Sequence, residues 1–178
     1  SKPDVAYHFD DLAANTQALL KSLKITKVSV IANSMGGMVG VRFARLYPKT
    51  VQKLVLENPL GLEDYSKDIP PQQNDTLLKL EMAQTETSYR NFLKSYFPNW
   101  QPAYEKFIEV YVRVQKGLDY PAYAKTSVLT YQMIAEKPVV NDLPQLKMPD
   151  LSGFCRKNRL TLTTSSTDTK SRRCSPLP

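Results

Sequence analysis

A serine flanked by small residues is the feature of this sequence best suited to covalent chemistry. Ser34 lies in Ile31-Ala-Asn-Ser-Met-Gly-Gly37, with Ala32 two positions before it and Gly36 two positions after it. A serine placed this way between a strand and a helix forms a nucleophile elbow, a tight turn that exposes its hydroxyl above the sheet edge. Because the turn is tight, we expect that only small residues fit at positions 32 and 36. The backbone N–H of Met35 would then point to where an oxyanion forms.

The elements around Ser34 are those that such a turn requires. Lys27–Asn33 is a β-branched run that predicts a buried strand, and Met38–Tyr47 predicts a mostly apolar helix. Val51–Glu57 predicts a second strand, parallel to the first, so that the three elements form a βαβ unit. Upstream, apolar residues recur at helical spacing between Phe9 and Leu23, with acidic residues in the first turn.

Between Gly61 and Val140 the pattern changes to helices joined by loops that contain proline. This stretch holds 12 of the 17 aromatic residues in the chain. One predicted helix places Tyr104, Phe107, Ile108, Tyr111 and Val112 on a single apolar face. Two interpretations stay open for these aromatics: they line an apolar acyl pocket, or they form the core of the helical region itself.

Three segments together resemble a known family. Tyr7–Ala13, Ser34–Gly37 and Leu54–Pro59 are similar to the central part of an α/β-hydrolase-fold protein, of the lid-bearing bacterial branch with esterases, lactonases and C–C bond hydrolases. The resemblance covers about residues 5–149. The fold class it implies is α/β: a partial α/β-hydrolase fold, with a parallel βαβ unit and a helical lid, followed by a disordered C-terminal tail.

The domain organisation expected from this resemblance has four parts. Residues 1–60 are expected to form a partial core with the elbow, 61–140 the lid, and 141–150 a linker back to the core. Residues 151–178 are rich in serine and threonine, show no periodicity, and are predicted to be disordered.

The resemblance also implies partners for Ser34 that the sequence does not supply. An upstream loop would give the second oxyanion N–H, and an aspartate and a histidine would follow the lid. The chain is therefore expected to be truncated at both ends. The change in composition after Met148-Pro149 suggests a shifted reading frame as a hypothesis.

Two residues are candidates for the remaining catalytic roles. His8 is the single histidine in the sequence, and it is expected to be an exposed residue near a helix N-terminus. Glu57 ends the strand adjacent to that of Ser34, where some relatives keep their acid, so it is the alternative acid. Without a histidine base, however, an acid does not activate serine. Asp119, Asp142 and Asp150 are expected to be lid or linker residues.

Charge and cysteine content exclude several other functions. The net charge is +7, and residues 151–178 contribute six basic side chains against one acid. A basic tail without interleaved aromatics or a known module does not indicate nucleic-acid binding. The cysteines Cys155 and Cys174 form neither a zinc motif nor a redox pair, so no metal or cofactor is expected. No apolar stretch approaches the ~20 residues of a membrane helix.

The sequence thus supports two hypotheses. The first is a serine hydrolase that acts on carboxyl esters or related acyl compounds through Ser34, with an apolar small-molecule substrate. Serine at the elbow argues against epoxide hydrolase or dehalogenase chemistry, which needs a carboxylate nucleophile. The second is a non-catalytic remnant that lacks the acid and the histidine, and the chain as given is expected to be inactive. A cytoplasmic location is expected, with a periplasmic or secreted one if a leader precedes Ser1.

Overall fold

The structure is a computed structural model. It describes residues 5–64, 67, 70, 72–97, 99–147, 150–156, 159–164 and 170–173, the last three segments by their backbone alone. The chain divides into two compact units, which we call the helical unit (residues 1–6 and 71–131) and the core unit (residues 7–70 and 132–178).

The core unit begins with the predicted helix–strand–helix–strand order. Its first elements are α1 (Phe9–Ser22), β1 (Val28–Asn33), α2 (Met35–Leu46) and β2 (Val51–Glu57). β1 and β2 are parallel, and Asn33 is the register partner of Glu57. The predicted βαβ unit is therefore present.

The core of this unit lies between the sheet and the two helices. Phe9 and Ala13 of α1 are buried, as are Met38 of α2 and Leu54 and Leu56 of β2. The apolar positions that repeat every three or four residues in the helices pack on alternate residues of β2, because these two periods each place side chains on one face. This packing holds α2 behind the strand that precedes it.

The helical unit consists of short helices. They are α3 (Asn74–Met82), α4 (Glu86–Tyr96), α5 (Glu105–Gln115) and most of α6 (Tyr120–Glu136), with a 3₁₀ turn at Pro102–Tyr104. Of the predicted apolar face, Ile108 and Tyr111 are buried, whereas Phe107 is 41% exposed. α6 continues into the core unit, where Met133 is buried, and a second 3₁₀ turn follows at Val140–Gln145.

The described part of the C-terminal region has strand backbone. Its described backbone forms β3 (Asp150–Arg156), β4 (Arg159–Thr164) and β5 (Lys170–Arg173). β3 pairs in parallel with β2, and β4 and β5 add antiparallel strands in the order β1-β2-β3-β4-β5.

The pairing of β3 with β2 needs no apolar pattern, because a sheet ladder uses backbone groups. A segment rich in serine and threonine can therefore pair with the free edge of β2 without an apolar pattern, and threonine itself favours strands. The frameshift hypothesis rested partly on a missing strand, and β3 removes that part of its support. The rest of the predicted tail, residues 157–158, 165–169 and 174–178, lies outside the described residues.

Candidate active site

Ser34 forms the turn between β1 and α2, as the sequence predicts. Its φ and ψ are 53° and −127°, a conformation that side-chain-bearing residues rarely adopt. It is the N-cap of α2, yet its side chain makes no capping hydrogen bond, and the residue is exposed. The Ser34 hydroxyl therefore does not cap the N-terminus of α2.

Backbone hydrogen bonds hold this turn against the loop that follows β2. The Ser34 N–H donates to the Glu57 carbonyl oxygen at 3.3 Å, and the Leu60 N–H donates to the Ser34 carbonyl oxygen at 2.9 Å. The side-chain amide of Asn33 also donates to the Glu57 oxygen, at 3.1 Å. Because these bonds engage both the N–H and the carbonyl oxygen of Ser34, they stabilise a backbone conformation that would be unfavourable in isolation.

Close packing restricts two positions of α2 to glycine, and neither is position 36, where the sequence predicted the restriction. A Cβ at Gly37 would overlap Pro59, and a Cβ at Gly40 would lie 3.0 Å from the Ala32 Cβ. A Cβ at Gly36 would meet nothing within 4 Å. Position 32 is small because α2 packs on it, as predicted. The steric limit in α2, however, falls on positions 37 and 40 and not on position 36.

The loop after β2 is packed tightly. Gly61 is buried with a φ of 88°, and a Cβ there would lie 2.6 Å from the Met38 Cγ and 2.8 Å from the Val139 Cγ2. Asn58 also has a positive φ, of 43°. Residues 58–61 are therefore fixed to α2, and this packing gives Pro59 and Leu60 the positions from which they contact the elbow.

Met35 is the first residue of α2 and is half-buried. The N–H groups of a first helical turn have no acceptor within the helix, and they lie at the positive end of its dipole. The Met35 N–H has this position beside the Ser34 hydroxyl. Such a donor can bind a carbonyl oxygen that becomes negative when a hydroxyl attacks the adjacent carbon.

The structure places the two other candidate residues differently. Glu57 ends β2 directly across from Asn33, so its exposed carboxylate lies at the same edge of the sheet as Ser34. His8 is the N-cap of α1 and makes no capping hydrogen bond with its side chain. It is half-buried, where the sequence predicted an exposed residue.

A cluster of two acids and two arginines beside the elbow helix was not predicted. The Arg42 Nε donates to Asp142 at 2.5 Å, and its Nη1 donates to Asp10 at 2.7 Å. The Arg45 Nε lies 3.1 Å from the other Asp142 oxygen, an ion pair without hydrogen-bond alignment.

Asp142, within the predicted linker 141–150, has its side chain buried against α2. The Arg42 hydrogen bond lowers the pKa of Asp10 below its ordinary value. Two arginines on one face of an otherwise apolar helix are the signal that could have indicated a buried acidic partner.

Two properties of the described residues bear on other functions. No group of three or more His, Cys, Asp or Glu side chains is arranged to hold a metal ion there. Among those same residues, no helix has the length and apolar character needed to cross a membrane.

Comparison with known proteins decides the family. The sequence profile described as the alpha/beta hydrolase fold matches residues 1–147 of the 178. The chain belongs to the α/β-hydrolase fold family. The resemblance and the fold class predicted from the sequence are thereby confirmed.

Three proteins similar to this α/β hydrolase illustrate the match. The structure of a probable hydrolytic enzyme from Pseudomonas aeruginosa PAO1 is 38% identical, with a TM-score of 0.79 over 85% of this chain and 50% of that one. An esterase from Exiguobacterium antarcticum is 16% identical, with a TM-score of 0.60 over 84% and 56%, which shows the fold alone. A homoserine O-acetyltransferase from Thermus thermophilus is 48% identical over 46 residues, 26% of this chain and 12% of that protein.

The chain thus spans about half the length of the solved structures it matches, and a smaller share of its curated relatives. Proteins similar to it are named as hydrolases and as acyltransferases. Both reactions begin at a carbonyl group, and they differ in whether water or another group accepts the acyl chain.

Proposed function

We propose that this α/β hydrolase is a serine hydrolase that cleaves carboxyl esters or related acyl compounds of small, apolar substrates through Ser34. The observation that carries the proposal is the strained, exposed conformation of Ser34 at the start of α2, where its hydroxyl makes no capping bond. A strained conformation that neighbouring bonds maintain is typical of functional sites.

In the proposed reaction, the Ser34 oxygen bonds to the acyl carbon and the carbon–oxygen bond to the leaving alcohol breaks. A base takes the serine proton and delivers it to the leaving alkoxide. Water then attacks the acyl-enzyme, which releases the carboxylic acid and regenerates the serine. The Met35 N–H is the proposed oxyanion donor, and a donor of this kind typically lowers the barrier by about 3–4 kcal/mol. Serine acyl transfer needs neither a metal nor a cofactor.

Names of similar proteins support this class of reaction. The Pseudomonas aeruginosa protein is described as a hydrolytic enzyme, the Exiguobacterium antarcticum protein as an esterase, and the Thermus thermophilus protein as an acetyltransferase. Glu57 is the proposed acid, on the basis of its position at the end of β2. The family resemblance also leads us to propose a lid role for residues 61–140.

A second candidate function is a non-catalytic hydrolase remnant. The observation that favours it is the histidine count: the sequence holds His8 alone, and His8 lies at the start of α1. A serine nucleophile without its base retains only the catalysis that binding and the oxyanion donors provide. On this proposal, Ser34 keeps its geometry but turns over no ester.

One experiment separates the two candidates. The full chain is treated with a fluorophosphonate probe and, separately, with p-nitrophenyl acetate, alongside Ser34→Ala and the control Ser29→Ala, which removes another exposed serine from β1. A hydrolase shows labelling and turnover that Ser34→Ala abolishes and Ser29→Ala retains. If a folded sample, verified by circular dichroism, shows neither signal, the hydrolase proposal is wrong.

A further inference from the structure

The helical unit contains a cavity of about 560 Å³ between α3, α4, α5 and α6. This volume is within the range of small-molecule sites, roughly 300–1,000 Å³. Aromatic side chains provide much of its wall, together with aliphatic residues and a single carboxylate. The aromatic members are Tyr89, Phe92, Tyr111, Tyr123 and Tyr131.

The carboxylate in this wall is that of Glu81, in the last turn of α3. Within the described part of the chain it has no hydrogen bond and no ion pair, and the residue is half-buried. This burial raises its pKa. A carboxylate removed from water without a partner is unfavourable, so a ligand that supplies a positive charge would relieve this cost.

Polar side chains next to the end of α3 bond to main-chain oxygens there or to one another, and not to the Glu81 carboxylate. The Tyr120 hydroxyl donates to the main-chain oxygen of Glu81 at 2.9 Å, and the Gln115 side-chain amide donates to the main-chain oxygen of Gln84 at 2.6 Å. The Tyr111 hydroxyl lies 3.3 Å from that of Tyr120. The unpaired carboxylate is therefore not part of a shared network, and it remains available to a ligand.

Three features of the wall favour the same sign of ligand charge. The Glu81 carboxylate is negative, the C-terminal end of α3 carries the negative end of its helix dipole, and aromatic rings attract cations at their faces. Two of these rings also hold each other in place: Tyr89 stacks on Tyr111 with centroids 3.7 Å apart and planes 12° apart. A rigid wall reduces the entropy lost on binding.

We propose that this cavity binds a small organic cation, with its ammonium group against the Glu81 carboxylate and its apolar part against the surrounding aromatic rings. The proposal concerns the helical unit alone and does not depend on the function of Ser34. It assigns the cavity a ligand of defined chemistry: a substituted ammonium ion with an apolar body.

The test is a calorimetric titration of the full chain with benzyltrimethylammonium. We expect saturable binding with a dissociation constant in the micromolar to low-millimolar range. Glu81→Gln should weaken this binding by about tenfold or more, because it removes the charge and keeps the shape. Glu109→Gln, which removes an exposed carboxylate from α5 outside the cavity, should leave it unchanged.

Two further measurements protect the test against a variant that does not fold. Phe92→Leu, at a residue that is 51% exposed, should weaken binding about two- to threefold, because it removes an aromatic face that packs on the apolar part of the ligand but keeps an apolar side chain. On the wild-type chain, choline should bind more tightly than its uncharged isostere 3,3-dimethyl-1-butanol. Absence of saturable binding, equal binding by folded Glu81→Gln, or equal binding of this isostere pair would each overturn the proposal.

Discussion

Two helices of this protein begin at a hydroxyl side chain, and they use it in opposite ways. α4 begins after Thr85, whose hydroxyl accepts a hydrogen bond from the Ser88 N–H at 3.1 Å, while the Ser88 hydroxyl accepts one from the Thr85 N–H at 2.8 Å. α2 begins after Ser34, whose hydroxyl makes no such bond. Thr85 has extended backbone angles, whereas Ser34 has a φ of 53°.

The difference shows where each helix obtains its stability. The N-terminus of α4 is stabilised by neighbours in sequence: its capping box and the Arg90–Glu86 ion pair at 2.8 Å, one turn apart. α2 is held by residues distant in sequence, among them Pro59, Leu60, Asp10 and Asp142. Because these distant contacts fix α2, Ser34 need not cap it, and its hydroxyl is left without a capping bond.

The largest effect should come from filling the contact between α2 and the loop after β2. Gly37→Ala should lower the free energy of unfolding by about 3 kcal/mol, because the new Cβ overlaps Pro59 and the backbone must move. Gly36→Ala is the matched control, one residue earlier in the same helix and without a contact within 4 Å. Urea denaturation measures both, and equal effects would contradict the assignment of the steric limit to position 37.

The next effect concerns the ion pairs that hold α2 from outside. Asp142→Ala should lower the free energy of unfolding by about 2 kcal/mol, because it leaves Arg42 and Arg45 without their buried acceptor. Asp142→Asn keeps a side-chain oxygen and should cost less. Asp119→Asn changes an exposed acid and is the control. Thermal unfolding of the three variants measures these losses of stability. An Asp142→Ala variant as stable as wild type would show that α2 does not depend on the cluster.

A third prediction compares the two helix starts directly. Thr85→Ala should cost about 1 kcal/mol of unfolding free energy, because it removes an N-cap acceptor. Ser34→Ala should change the unfolding free energy by less than about 0.5 kcal/mol, because its hydroxyl caps nothing. Thr85→Ser, which keeps the hydroxyl, should retain most of the wild-type stability. Chemical denaturation of all three variants is the measurement, and a larger loss for Ser34→Ala would break the comparison.

The smallest effect is a pH dependence of the unfolding free energy that comes from Asp10, the exposed acid of the ion-pair cluster around Arg42. The Arg42 hydrogen bond holds the pKa of Asp10 below its ordinary value. The stabilisation is therefore present above the unfolded-state pKa and is lost as pH falls through the lower folded-state pKa. Asp10→Asn should lose less than about 1 kcal/mol at neutral pH, because Asp10 is exposed. Its difference from wild type should vanish in acid, and a difference that persists there would exclude the ionised carboxylate as the cause.

Much of the fold was predictable because its signals are local. The second strand has the predicted bounds, Val51–Glu57, and α1 ends one residue before the predicted Leu23. Apolar spacing gives these elements directly, since periods of two and of three to four residues correspond to strands and helices. The turn at Ser34 was predicted for the same reason: the strand, the serine and the helix are adjacent in the chain.

The parts that were not predicted depend on residues distant in sequence. Gly37 is restricted by Pro59, Asp142 pairs with Arg42 a hundred positions earlier, and β3 uses the backbone of β2. None of these partners is indicated by the residues next to it. The half-buried state of His8 was likewise not visible in its neighbours.

The sequence by itself determined the family, the βαβ unit and the place of Ser34 between strand and helix, because spacing along a few dozen residues carries that information. Tertiary structure alone decided which glycine limits the elbow, what holds α2, and that the Glu81 carboxylate lies in an aromatic cavity without a partner among the described residues. The physical reason is that steric overlap, ion pairing and desolvation act over a few ångströms in space. They join groups whose separation along the chain has no fixed relation to that distance.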